Sequence, residues 1–120
     1  VRIPINSRAK GASGEREAAK AVTEVLGIAA RRGQQFSGLE GEDIVTELAG
    51  VHFEVKRTER LQVYKAMQQA TLDAGTDDVP VVLHRKNNEQ WLAIVPLTQL
   101  LTLAERISKQ CSSDHTSQPP

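Results

Sequence analysis

Aromatic side chains are nearly missing from this chain, with one Trp, one Tyr and two Phe in 120 residues. A core must therefore be built from Val, Leu, Ile and Ala, within a length that suits one domain. Cysteine is reduced to Cys111, so no intrachain disulfide can form, and a lone Cys in a polar stretch reads as incidental rather than catalytic. No apolar run approaches membrane-spanning length, and the N-terminal residues lack the apolar stretch of a signal peptide. The expected location is the cytoplasm, with no membrane partner. A Gly-rich phosphate loop ending in Lys-Ser/Thr, a Cys/His zinc spacing and a Gly-x-Ser-x-Gly elbow are all missing. His52, His84 and His115 show no metal-ligand pairing in sequence, and His52 reads as a partly exposed strand residue.

A charge excess of either sign is missing too: 15 Lys and Arg balance 15 Asp and Glu. Proteins that coat nucleic acid carry a basic surplus. Here the basic residues are grouped instead, as Arg8, Lys10, Arg16 and Lys20, then Arg31 and Arg32, then Lys56, Arg57, Arg60 and Lys65. Carboxylates that hold a metal cancel basic charge in the whole-chain sum without cancelling a basic rim.

What is present alternates between helix-like and strand-like periodicity. Residues 1–12 read as an irregular basic lead-in to a domain spanning 1–109, and residues 110–120 as a disordered polar tail ending in Pro119-Pro120. Ser13 is a plausible N-cap for a helix to Leu26, with Ala18, Val22, Val25 and Leu26 on its apolar face and Gly27 as its stop. Ile28 to Arg32 reads as a strand and Gly33 to Glu42 as a loop. Asp43 to Leu48 and Val51 to Arg57 read as two strands joined by a tight hairpin at Ala49-Gly50. Leu61 to Ala74 is a second helix. Val79 to His84 is a strand whose Pro80 suits a start or an edge, and Gln90 to Val95 is a further strand. Pro96 opens a last helix with Leu97, Leu100, Leu101, Ala104 and Ile107 as its stripe. The order implies an α/β domain, a mixed sheet flanked by helices.

The chemistry concentrates in Val51-His52-Phe53-Glu54-Val55-Lys56. Alternation sends Val51, Phe53 and Val55 to the core and places His52, Glu54 and Lys56 together on the other face. If Ala49-Gly50 is a two-residue turn, Val45 pairs with Glu54, and Asp43 falls opposite Lys56 and diagonal to Glu54. Two carboxylates and an ammonium then converge, a set suited to a hard divalent cation such as Mg²⁺. Hydrolysis of a phosphodiester needs those parts: a metal, an activated water and a cation for the developing charge. Glu15 extends the apolar stripe of the first helix and is the helix acid expected to point toward such a site, in preference to Glu17.

Lys10-Gly11, Gly14-Glu15-Arg16-Glu17, Arg31-Arg32-Gly33-Gln34-Gln35-Phe36-Ser37-Gly38, Gly41-Glu42-Asp43-Ile44-Val45 and Phe53-Glu54-Val55-Lys56 together resemble the PD-(D/E)XK nuclease superfamily. Within it, the chain resembles the archaeal-type Holliday junction resolvases and their phage relatives, over residues 8 to 105. Glu42 stands where Pro precedes the metal-binding Asp in the motif. The resemblance implies a restriction-endonuclease-like fold with an αβββαβ core. It implies Glu15, Asp43, Glu54 and Lys56 as the catalytic set, and Asp43, Glu54 and Glu15 as ligands of Mg²⁺, for which Mn²⁺ can substitute. It also implies a homodimer that cuts branched, four-way DNA symmetrically, in the host cytoplasm if the source is a phage. Lys10, Arg16, Arg32, Ser37 and Arg57 are the expected DNA contacts. Two alternatives are a restriction or repair nuclease of the same superfamily and a non-catalytic DNA-binding protein on the same scaffold. The intact Asp43, Glu54 and Lys56 set argues against the second.

Overall fold

The computed structural model describes the backbone of residues 7–33 and 43–115, and the side chains of residues 11–33 and 43–110. The elements follow the order α1 (Ser7–Leu26), β1 (Ala30–Arg32), β2 (Ile44–Thr46), β3 (Val51–Arg57), α2 (Val63–Ala74), β4 (Val79–Arg85), β5 (Leu92–Ile94), a 3-10 turn (Leu97–Gln99) and α3 (Leu100–His115). Helix α1 begins at Ser7, so the expected irregular lead-in over residues 1–12 is helical from Ser7 onward. Arg8, Ala9, Lys10 and Ala12 are good helix formers, and they carry the helix through Ser13 in spite of Gly11 and Gly14. Gly27, at φ 69°, donates to the Thr23 carbonyl and ends it. At the other end, α3 runs to His115, so the expected disordered tail is helical over its first residues.

Strand β4 is central. It pairs in parallel with β3, Val51 beside Val79 through Arg57 beside Arg85, and antiparallel with β5. Helix α2 is the crossover that a parallel β3–β4 pair requires. Pro80 is the second residue of this central strand, at the expected start and not at an edge. The Val79 amide donates toward β3, to the Gly50 carbonyl. The next position along points the other way, and there β5 pairs only with Val82 to His84, so the missing N–H of Pro80 breaks no ladder bond.

Both faces of this mixed sheet are covered. Ala18, Ala19 and Val22 of α1 pack with Ile28, Ile44, Val51, Phe53, Val79, Val81 and Leu83, with Leu103 and Ile107 of α3 at the margin. Ala66 and Ala70 of α2 pack on Val82 from the opposite side. Val25, expected on the buried face of α1, is 79% exposed, and Ala19 takes its place. The small residues let α1 sit close. A Cβ on buried Gly14 would lie 2.7 Å from Arg57 Cβ, an atom that cannot swing away. Gly14→Ala is therefore expected to push α1 off the end of β3 and lower stability by about 1–3 kcal/mol, as overpacking does. Urea unfolding measures it, and an unchanged midpoint would show that the contact relaxes freely.

Candidate active site

The expected hairpin does not form. Strand β2 pairs antiparallel with β1, from Ala30 beside Thr46 to Arg32 beside Ile44, in a two-stranded sheet separate from the one that holds β3. A two-residue hairpin needs positive φ at its first central residue, or at both. Of the pair Ala49-Gly50 only Gly50 has it, at 79°. The chain bends at Glu47, Leu48 donates back to Thr46 Oγ1, and the two strands separate. The inferred pairing of Val45 with Glu54 and of Asp43 with Lys56 is thereby overturned.

Asp43 reaches β3 by another route. Its carbonyl accepts from the Gly33 amide at 2.9 Å, which ties it to the end of β1. Its Oδ2 accepts from the Val55 amide at 2.7 Å. That amide lies on the edge of β3 that β4 does not use, so a carboxylate oxygen stands where a neighbouring strand's carbonyl would otherwise be. Asp43 is thus held beside the residue between Glu54 and Lys56. Glu15 of α1 accepts from Arg32 Nε of β1 at 2.9 Å. Burial raises the Asp43 carboxyl to about pKa 6; the Val55 amide pulls it down, the Glu54 and Glu15 carboxylates push it up, and Lys56 lowers it. Glu54, Glu15 and Lys56 thus all lie near enough to Asp43 to act on its carboxyl.

On the α2 side of β3 the ionisable residues are covered rather than solvated. His52 is 4% exposed and Glu54 5%, so the expectation of a partly exposed His52 is corrected. Alternation predicted the shared face but not the helix over it. Glu54 Oε1 lies 3.4 Å from His52 Nε2, and Glu54 Oε2 lies 4.0 Å from Lys56 Nζ. Lys56 Nζ donates to Gln69 Oε1 at 3.2 Å. Asp73, one helical turn after Gln69, completes a group with His52 and Glu54 whose ligand atoms lie within 4.8 Å of one another. Gln69 and Asp73 were missed in the sequence. Their signal is the match between a strand period of two and a helix spacing of four, which sets Gln69 against Lys56 and Asp73 against His52.

The expected DNA contacts are distributed unevenly. Arg16 is exposed on α1 beside Glu15. Arg32 is shared with Glu15. Arg57 is held from several sides, by Glu17 at 3.2 Å, by Asn87 Oδ1 at 3.1 Å and by the Arg85 carbonyl. Glu17 also pairs with Arg85, so it serves as a clamp between α1 and the strand ends. The side chain of Lys10 and the whole of Ser37 lie outside the described residues.

Compared with known protein families, the chain matches the model described as phage putative PDDEXK endonuclease over residues 6–117. The chain belongs to this PDDEXK endonuclease family. No curated protein and no solved structure matched it. The α/β architecture agrees with the PD-(D/E)XK fold. Nucleases of this superfamily typically use a divalent metal, and the His52, Glu54 and Asp73 group is a candidate place for one in this PDDEXK chain. Among the described residues no helix is long and apolar enough to cross a membrane.

Proposed function

We propose that the chain is a Mg²⁺-dependent endodeoxyribonuclease that resolves four-way DNA junctions, with Glu15, Asp43, Glu54 and Lys56 as its catalytic set. The observation that carries this reading is the Asp43–Val55 bond, which anchors a half-buried carboxylate on the strand between Glu54 and Lys56. The donor set fits a hard divalent ion. Asp43 keeps Oδ1 for a ligand while Oδ2 is held by the backbone, and Glu54 and Glu15 already act on it electrostatically. Without a cation these carboxylates oppose one another; a cation would offset that repulsion. Mg²⁺, with Mn²⁺ as substitute, would be held by Asp43, Glu54 and Glu15 and would polarise the phosphate and acidify a water. Lys56, oriented by Gln69, places a positive charge where the pentavalent phosphate becomes more anionic. Hydrolysis then forms a P–O bond from the attacking water, breaks the P–O bond to the leaving alkoxide, and passes a proton from that water to the alkoxide.

Nicking of a synthetic four-way junction against a matched linear duplex, both with Mg²⁺, tests the substrate. Preference for the junction by tenfold or more is the expected result. Equal cutting of the duplex would favour a restriction or repair nuclease of the same family. The phosphate backbone is proposed to run past Lys10, Arg16, Arg32, Ser37 and Arg57. Arg16, exposed and beside Glu15, gives the cleanest check. Arg16→Ala should weaken junction binding and lower the log–log salt slope by about one unit. An unchanged slope would remove Arg16 from the contact surface.

Symmetric cutting calls for two sites related by a two-fold axis, so a homodimer is part of this reading. Leu97 and Leu101 on the last helical segments are 83% and 72% exposed, and Leu92 on β5 is half exposed, which offers apolar surface on elements that do not carry Asp43. Sedimentation at micromolar concentration should give about twice the 13.1 kDa chain mass. A monomer both free and on junction DNA would rule out the paired arrangement.

A further inference from the structure

Glu54 faces two ways. Its Oε2 is directed toward Lys56, while its Oε1 is directed toward His52, with an Asp73 oxygen inside the same 4.8 Å group. Asp43 meets β3 elsewhere, at the strand's open edge through the Val55 amide. We infer that His52, Glu54 and Asp73 form a second cation position, separate from the one assigned to Asp43 and Glu15, which shares Glu54 with it and takes a divalent ion that accepts imidazole, of the Zn²⁺ or Mn²⁺ class. The count of two ions rests on the Asp43 site proposed above; the His52–Glu54–Asp73 position itself does not.

Three observations support it. First, the strand face beneath α2 buries an imidazole and a carboxylate side by side, with an Asp73 oxygen in the same group. Second, the His52–Glu54 separation of 3.4 Å is long for a charge-assisted N–H···O bond, which runs at about 2.7–2.9 Å. It agrees with the roughly 3.0–3.5 Å between two donors that each stand about 2.1 Å from one ion at octahedral or tetrahedral angles. Third, the donors are chemically mixed. Mg²⁺ prefers an all-oxygen shell with retained waters, whereas one imidazole with two carboxylates favours a softer divalent ion. Asp73 is exposed, so the position has an entry path from solvent along α2.

The test uses the full chain, stripped of metal. Mn²⁺ is counted by electron paramagnetic resonance, and Zn²⁺ affinity is read by competition with a chromogenic chelator. The wild type should bind two Mn²⁺ per chain. Asp73→Asn, on an exposed helix position, and His52→Gln should each bind one and lose about tenfold or more in Zn²⁺ affinity. Asp43→Asn should keep the ion that shows nitrogen hyperfine coupling from an imidazole, and His52→Gln should lose that coupling. If Asp73→Asn and His52→Gln bind both ions as the wild type does, the inference falls and His52–Glu54 is an ion pair only. A chain that holds Zn²⁺ through this set yet nicks no DNA with Mg²⁺ would sink the nuclease proposal and leave this one standing.

Discussion

Asp43→Asn is expected to abolish nicking and, in the same protein, to raise the stability of the metal-free fold. The loss of activity should be on the order of a thousandfold or more, because the charge that holds the cation is removed while the Val55 amide keeps an acceptor in the amide oxygen. The gain in stability follows from linkage. Burial raises the folded Asp43 carboxyl from its ordinary value of 3.8 to about 6, so the native state holds its proton more tightly than the unfolded chain. That advantage is complete below the unfolded value and disappears as pH rises through about 6. At neutral pH the wild-type carboxylate therefore costs the fold on the order of 2 kcal/mol, after allowance for the solvent that reaches it. Asparagine carries no such cost. Urea unfolding in EDTA should show Asp43→Asn the more stable at pH 7.5, with the difference shrinking toward pH 4. Mg²⁺ should stabilise the wild type and not the variant. Nicking at wild-type rate by Asp43→Asn would remove Asp43 from the site, and a flat stability difference across that pH range would show that its carboxyl is not perturbed.

Phe53→Ala should have the largest effect on folding. The residue stands between the two site residues His52 and Glu54 but points away from them, into the α1 face, where it is nearly fully buried. Truncation of a buried Phe costs about 3–5 kcal/mol, a large share of the 5–15 kcal/mol that holds a domain together. The expected result is a much lower melting temperature, with nicking and metal binding lost together as the fold is lost. A well-folded Phe53→Ala protein would show that β3 is anchored by its pairing with β4 rather than by this side chain. Phe53→Leu, which keeps most of the volume, should retain both activities.

Long-period features were legible in the sequence, and short or doubly covered ones were not. The body of α1 with its Gly27 stop, α2, β3 and β4 each span enough residues for their periodicity to stand out. Strands β1 and β2 were read from their residues too, but not their pairing with each other, since three-residue strands carry almost no register signal. The hairpin failed on one dihedral angle, because an Ala-Gly pair supplies positive φ only at its second position. His52 was misplaced because alternation tells which residues share a face and not whether a helix covers it. Asp43 is the instructive case. Its pairing partner was wrong, yet it still lies beside Glu54 and Lys56, since a side-chain bond to Val55 replaced the strand pairing that had been inferred.

The parallel pairing of β3 with β4 also governs when activity can first appear during synthesis. Glu15, Asp43 and Glu54 all leave the ribosome early, but the strand that carries Glu54 gains its hydrogen-bonded neighbour only once residues 79–85 have followed. Closing that pair across a whole helix is a non-local event with a loop-entropy cost, and it comes late for that reason. A nascent chain stalled in α2 would therefore carry every proposed magnesium ligand in covalent form and none of them in working geometry. The proposed site therefore depends on β4 as well as on the elements that carry its residues.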